Sequence, residues 1–104
     1  MNQQALLRKV KKMQEEMMAA QQEIEATTFY AAAGGVVDVE VKGTKELVKV
    51  TIDESFEIES PEDLMMLGEM VVAACNQAYK EIEKTTKEKM GPYSDMLSGF
   101  GGLF

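Results

Sequence analysis

The chain contains no histidine, no tryptophan and a single cysteine, Cys75. Without imidazole, the commonest side chain for proton transfer near neutral pH is missing, and so is the commonest metal ligand. One thiol closes no intrachain disulfide, and with no histidine beside it the usual zinc ligand sets cannot be assembled. Asp53, Glu54, Glu57 and Glu59 follow no EF-hand spacing and lack the loop glycine, so they read as a solvated acidic loop. No glycine-rich loop has the spacing that cradles phosphates. The expectation is a non-enzymatic protein with no metal, no cofactor and no small-molecule substrate. Long apolar runs are also lacking: none reaches the roughly 20 residues that span a bilayer. The start, MNQQALLRKV, carries charges where a signal peptide needs an apolar stretch. A cytoplasmic location without membrane contact is expected.

What is present supports one folded domain: 104 residues, of which 45% are hydrophobic. Nine methionines, flexible fillers of irregular cores and adaptable contact surfaces, point to an interface. The net charge of −7 is unevenly spread. Residues 1–49 carry seven Lys/Arg and seven Asp/Glu, residues 80–104 carry four of each, and residues 50–79 carry seven acids and no base. The acidic excess therefore lies in the middle, and both ends have local basic faces available to a polyanion.

From Leu6 the apolar positions run Leu6, Val10, Met13, Met17, Ala20 and Ile24, a spacing of four and three that predicts a helix with a coiled-coil seam. About 25 residues of helix reach about 37 Å, too long for so small a domain to wrap, so part of it should protrude or meet another chain. Arg8, Lys9, Lys11 and Lys12 fall away from the seam as a basic patch. Thr27, Thr28, Phe29 and Tyr30 favour a strand, and Gly34-Gly35 follows. Val37 to Lys42 and Val48 to Asp53 alternate apolar and polar residues around a turn at Gly43-Thr44, which predicts a hairpin.

Ser60-Pro61-Glu62-Asp63 combines a capping hydroxyl, proline at the first helical position and acids in the first turn. The second helix is expected to run from there to about Met90, where Gly91-Pro92 should end it. Between Leu64 and Cys75 only Glu69 is charged, with Met66, Met70 and Ala73 assigned to the side opposite Leu64, Leu67, Val71 and Ala74. A helix apolar on both sides needs cover on both, and one small sheet covers one. A second subunit is the expected cover, with Leu64, Met66, Leu67, Met70, Val71 and Ala74 at the dimer interface and Cys75 inert and buried among them. Further on, Lys80, Lys84 and Lys87 share a face opposite Ala78 and Ile82. Ser94 to Phe104, with three glycines and the apolar pair Leu103-Phe104, reads as a mobile tail.

Particular residues stand at the joints of this order of elements: Lys12-Met13-Gln14-Glu15, Ala33-Gly34-Gly35-Val36-Val37, Gly43, and Val48-Lys49-Val50-Thr51-Ile52-Asp53. They continue through Glu62-Asp63-Leu64, Val71-Val72-Ala73-Ala74, Asn76, Ala78 and Lys89-Met90-Gly91. In this order and spacing they resemble the YbaB/EbfC family of nucleoid-associated proteins over roughly residues 5–91. The chain departs from the pattern at Leu67-Gly68-Glu69-Met70, where the family more often has an acidic pair between leucines, and in its short tail. Gly68 costs a helix about 1 kcal/mol relative to Ala and allows close backbone approach.

The resemblance implies an α+β fold: an α-β-β-β-α protomer with long terminal helices flanking a small antiparallel sheet, paired into an intertwined homodimer. It implies a dimeric DNA-binding domain over residues 1–91, a flexible tail over 92–104, and binding to double-stranded DNA in the bacterial nucleoid with little sequence preference. Arg8, Lys9, Lys11 and Lys12 are then the first candidates for phosphate contact, with Lys80, Lys84 and Lys87 behind them. Taken without the resemblance, both groups read first as solvated helix faces. For the second group, Glu83 with Lys87 and Lys84 with Glu88 have the spacing of ordinary intrahelical pairs. Lys42, Lys45 and Lys49 read first as edge-strand guards against aggregation. The competing function is an adaptor that recruits proteins through the first helix and the apolar tail, with DNA irrelevant.

Overall fold

The computed structural model describes residues 2–99. Leu103 and Phe104, expected in the tail, lie outside the described residues. The element order is α1 (Gln3–Ala26), β1 (Thr28–Ala33), β2 (Val37–Lys42), β3 (Leu47–Ile52) and α2 (Pro61–Gly99). The expected α-β-β-β-α order is what the chain adopts.

The three strands form one antiparallel sheet in the order β1-β2-β3. Gly34 and Gly35 both take positive φ, 61° and 66°, and the Val36 N–H donates to the Ala33 carbonyl at 3.2 Å. That is the primed turn whose twist matches paired strands, and glycine adopts it without a Cβ penalty. Alternation along β2 sorts its side chains cleanly: Val37, Val39 and Val41 are fully buried, and Asp38 and Lys42 face water. Each buried valine contributes roughly 1.5 kcal/mol or more by leaving water. They pack against Ala74, Ala78 and Ile82 of α2, with Leu67, Met70 and Val71 half-buried around them.

β3 has the same alternation and a different fate. Val50 and Ile52 stand opposite Val39 and Val37, on the face that β2 buries. Yet every residue of β3 is exposed, because α2 lies over β1 and β2 and neither helix has comparable contact with β3.

α2 is longer than expected. It passes through Gly91-Pro92 and ends at Gly99, beyond the stop predicted near Met90. The residue before a proline is pushed out of the helical region by a clash that involves its Cβ, and Gly91 has none. Packing supplies the rest. α1 lies along the C-terminal half of α2, with Met13 and Ile24 of its seam 2% and 1% exposed, and Met90, Gly91 and Tyr93 of α2 are half-buried. The start of α2 also differs in detail. The Asp63 carboxylate accepts from the backbone N–H of Glu59 at 2.9 Å and of Ser60 at 3.2 Å, so the third helical residue reaches back to the cap.

The result is elongated, 72 × 21 × 15 Å. Its radius of gyration is 20.4 Å, against about 13 Å for a compact chain of this length.

Gly43 ties the sheet to α1. Its N–H donates to the Thr27 carbonyl at 2.9 Å, and a Cβ at this position would overlap the Ile24 carbonyl oxygen. Only backbone stands in the way, so no side chain can turn aside to make room. Gly43→Ala is therefore expected to destabilise the fold by about 3 kcal/mol, measured by urea unfolding. Gly35→Ala, which meets no atom and suffers only its positive φ, is expected to cost about half as much.

Candidate nucleic-acid interface

The expected basic residues fall into two groups in the structure. Arg8, Lys9, Lys11 and Lys12 are all exposed on α1, on the side away from the buried Met13 and Ile24. The reason is periodic: at 100° per residue the four span less than half of the helix circumference, centred opposite the seam. Lys80, Lys84 and Lys87 are exposed on the back of α2, opposite the buried Ala78 and Ile82. The two groups do not merge into one patch. The C-terminal end of α1 lies beside Ile82 to Lys87, which leaves Arg8 to Lys12 more than a dozen residues, about 20 Å, farther along the helix.

Among the described residues there are three ion pairs: Lys42 with Glu46 at 3.9 Å, Lys45 with Glu83 at 3.5 Å and Lys89 with Glu23 at 2.9 Å. None uses a candidate cation. Neither expected intrahelical pair, Glu83 with Lys87 or Lys84 with Glu88, is formed; Glu83 reaches Lys45 at the β2–β3 turn instead. All seven candidates therefore keep their charge exposed and unneutralised by a neighbouring carboxylate.

The expected interface residues separate by depth. Leu64 is 56% and Met66 47% exposed, and both offer surface to another molecule. Leu67, Met70 and Val71 are half-buried against their own sheet, and Ala74 is fully buried in the core, with no surface left for a second chain. Met70 belongs to the inner face, beside Gly34, and not to the outer face assigned to it from spacing. Cys75 is half-buried at the edge of the same core. Leu64 lies on the same stripe as Leu67 and Val71, one turn before Leu67, and is not among the residues packed on the core.

Met65 and Val72, which are not among the six expected interface residues, are 67% and 58% exposed. With Gly68 they form a three-and-four-spaced apolar stripe on the outside of α2, and a Cβ on Gly68 would meet open space. That spacing was available in the sequence. Lys45, which its strand-edge position marks as an aggregation guard, lines grooves with Lys80 and Lys87. Nothing in the chain's periodicity places it there.

Among the described residues, no helix is long and apolar enough to cross a membrane, and no group of three or more potential ligands is placed to hold a metal ion.

Comparison with known proteins places this geometry. A model of the YbaB/EbfC DNA-binding family matches residues 1–97. A nucleoid-associated protein of Agathobacter rectalis is 36% identical over 104 residues, covering 99% of this chain and 88% of that one. Nucleoid-associated protein YaaK of Bacillus subtilis is 41% identical over 71 residues, 68% of this chain and 64% of its own length. Several curated relatives are matched over only about three fifths of their length. Among solved structures, the uncharacterized protein HP0035 of Helicobacter pylori superposes with a TM-score of 0.66 at 26% identity, covering 93% of this chain and 98% of that one. With a family model spanning nearly the whole sequence and the same helix–sheet–helix arrangement in a solved relative, this chain belongs to the YbaB/EbfC DNA-binding family.

Proposed function

We propose that the protein is a nucleoid-associated homodimer that binds duplex DNA with little sequence preference, through phosphate contacts from the two copies of the α1 patch. The observation that carries this proposal is the patch itself: four cations, exposed, unpaired and held on the free side of a rigid helix. Phosphate contacts supply most sequence-tolerant binding, and lysine and arginine on a helix face suit that task. The names of the relatives favour the nucleoid as the place of action.

Pairing is supported by the apolar surface the protomer leaves open. Leu64, Met65, Met66 and Val72 on α2, and Val48, Val50 and Ile52 on β3, stand exposed. Exposed apolar area on that scale, on a chain of net charge −7, is best covered by a second copy, which brings self-complementary apolar surface. A dimer also doubles the phosphate contacts, from four to eight, which offsets the repulsion of its acidic middle segments. A competing adaptor function draws on Leu7 and Met18, exposed on α1 and attractive to an apolar protein partner.

Three outcomes are expected. In gel-shift titrations on duplexes of unrelated sequence, the logarithm of affinity should fall with the logarithm of salt at a slope near −5, corresponding to about six neutralised phosphates. Replacing Arg8, Lys9, Lys11 and Lys12 together by Gln should abolish binding at moderate salt and change unfolding free energy by less than about 1 kcal/mol, since all four are exposed and unpaired. Binding that survives this replacement removes the assignment to α1, and a wild-type protein that ignores DNA while capturing a protein partner through Leu7 and Met18 favours the adaptor. Light scattering should give twice the chain mass, and Leu64→Asp with Val72→Asp should halve it. A wild-type mass of one chain at micromolar concentration refutes the pairing.

A further inference from the structure

We infer that Lys45, at the β2–β3 turn, is a second-site phosphate contact that extends the lysine stripe of α2 into a DNA-binding surface separate from the α1 patch. The inference rests on the proposed DNA function and adds a residue and a location to it.

The first observation is backbone strain. Lys45 has φ 73°, and it is the only non-glycine residue with positive φ among the described residues. The turn needs this geometry: the Lys45 N–H donates to the Lys42 carbonyl at 2.7 Å and the Lys42 N–H to the Glu46 carbonyl at 2.9 Å. It is the left-handed position that follows a tight hairpin turn, where glycine or asparagine serves with less strain. A long cationic side chain adds nothing to the turn. A strained residue persisting where an easier one would do points to a use for its side chain.

The second observation is where that side chain stands. It shares one groove with Asn76, Tyr79 and Lys80 and another with Thr86 and Lys87 of α2. Amide, phenol and lysine donors are the groups that hold phosphate oxygens. The facing carboxylates are Glu83, paired with Lys45 at 3.5 Å, and Glu25. Both side chains of that pair are more than half exposed, so the pair is weak and is readily exchanged for a phosphate. The third observation is rigidity. Gly43 pins the turn to the backbone at the end of α1, so Lys45 is carried on a fixed support and pays little ordering cost when it engages a ligand.

The strain provides the test. Lys45→Gly removes the charge and relieves the backbone, so stability and binding should move in opposite directions. The melting temperature should rise or hold. On a labelled random-sequence duplex, affinity should fall by about tenfold at moderate salt, and the salt slope should shrink by about 2, one contact from each protomer. Lys45→Asn, also tolerated at positive φ, should reproduce the loss of binding, and Lys45→Arg should restore affinity. Glu83→Gln, which frees Lys45, should tighten binding and leave the slope of Lys45→Gly unaltered when the two are combined. Unchanged affinity and slope in both the Gly and Asn variants overturn the inference; if the Arg8-to-Lys12 variant still loses binding, the α1 proposal stands without it. A wild-type protein with no salt-dependent binding removes both.

Discussion

A long helix over a short sheet is the constraint on which the rest of the structure depends. At 39 residues, α2 runs to about 58 Å, and six-residue strands reach only about 20 Å. The central turns of α2 press Ala74, Ala78 and Ile82 onto the valines of β2, and this contact forms the core of the protomer. Past it, the C-terminal half of α2 has to find other cover, and α1 supplies it through Met13 and Ile24. The N-terminal turns find none. The exposed leucine and methionines at that end follow directly from the mismatch in length.

The same mismatch separates charge from core. Because α1 spends only its seam on α2, its opposite side is free to carry cations at full exposure. Because α2 is gripped on one side only, its back can do the same. The acids that give the chain its net negative sign gather in the loop after β3 and the first turns of α2, away from Arg8 to Lys12. Overall charge is thus a poor guide to the local field, and the family's association with DNA meets no contradiction in a sequence of pI about 4.6.

Much of this was legible in the residues. Alternation in Val37 to Lys42 located β2 to the residue, because one buried and one wet face impose a period of two. The four-and-three spacing of α1 located both its seam and the cations opposite. What escaped has a common cause: features decided by contacts between elements leave little local trace. Gly91-Pro92 looks like a stop until α1 packs beside it. Met70 looks outward until the Gly34 turn closes over it. Val50 and Ile52 look buried from their pattern, and stay exposed because α2 lies over β1 and β2 instead. The position of Lys45 depends on the direction a hairpin tip leans, which no periodicity encodes.

The junction between α1 and the sheet has a mechanical consequence. The Thr27 hydroxyl donates to the Glu23 carbonyl at 2.7 Å, the Gly43 N–H reaches Thr27, and backbone meets backbone at Ile24 with no side chain between. A joint of this kind has no slack. Swinging the first helix about its base would prise the hairpin tip away from it, so this joint sets the interval between the helix's far end and that tip. Any flexible polymer laid across both must conform to that interval, as a strip of metal conforms to the jaws of a fixed gauge.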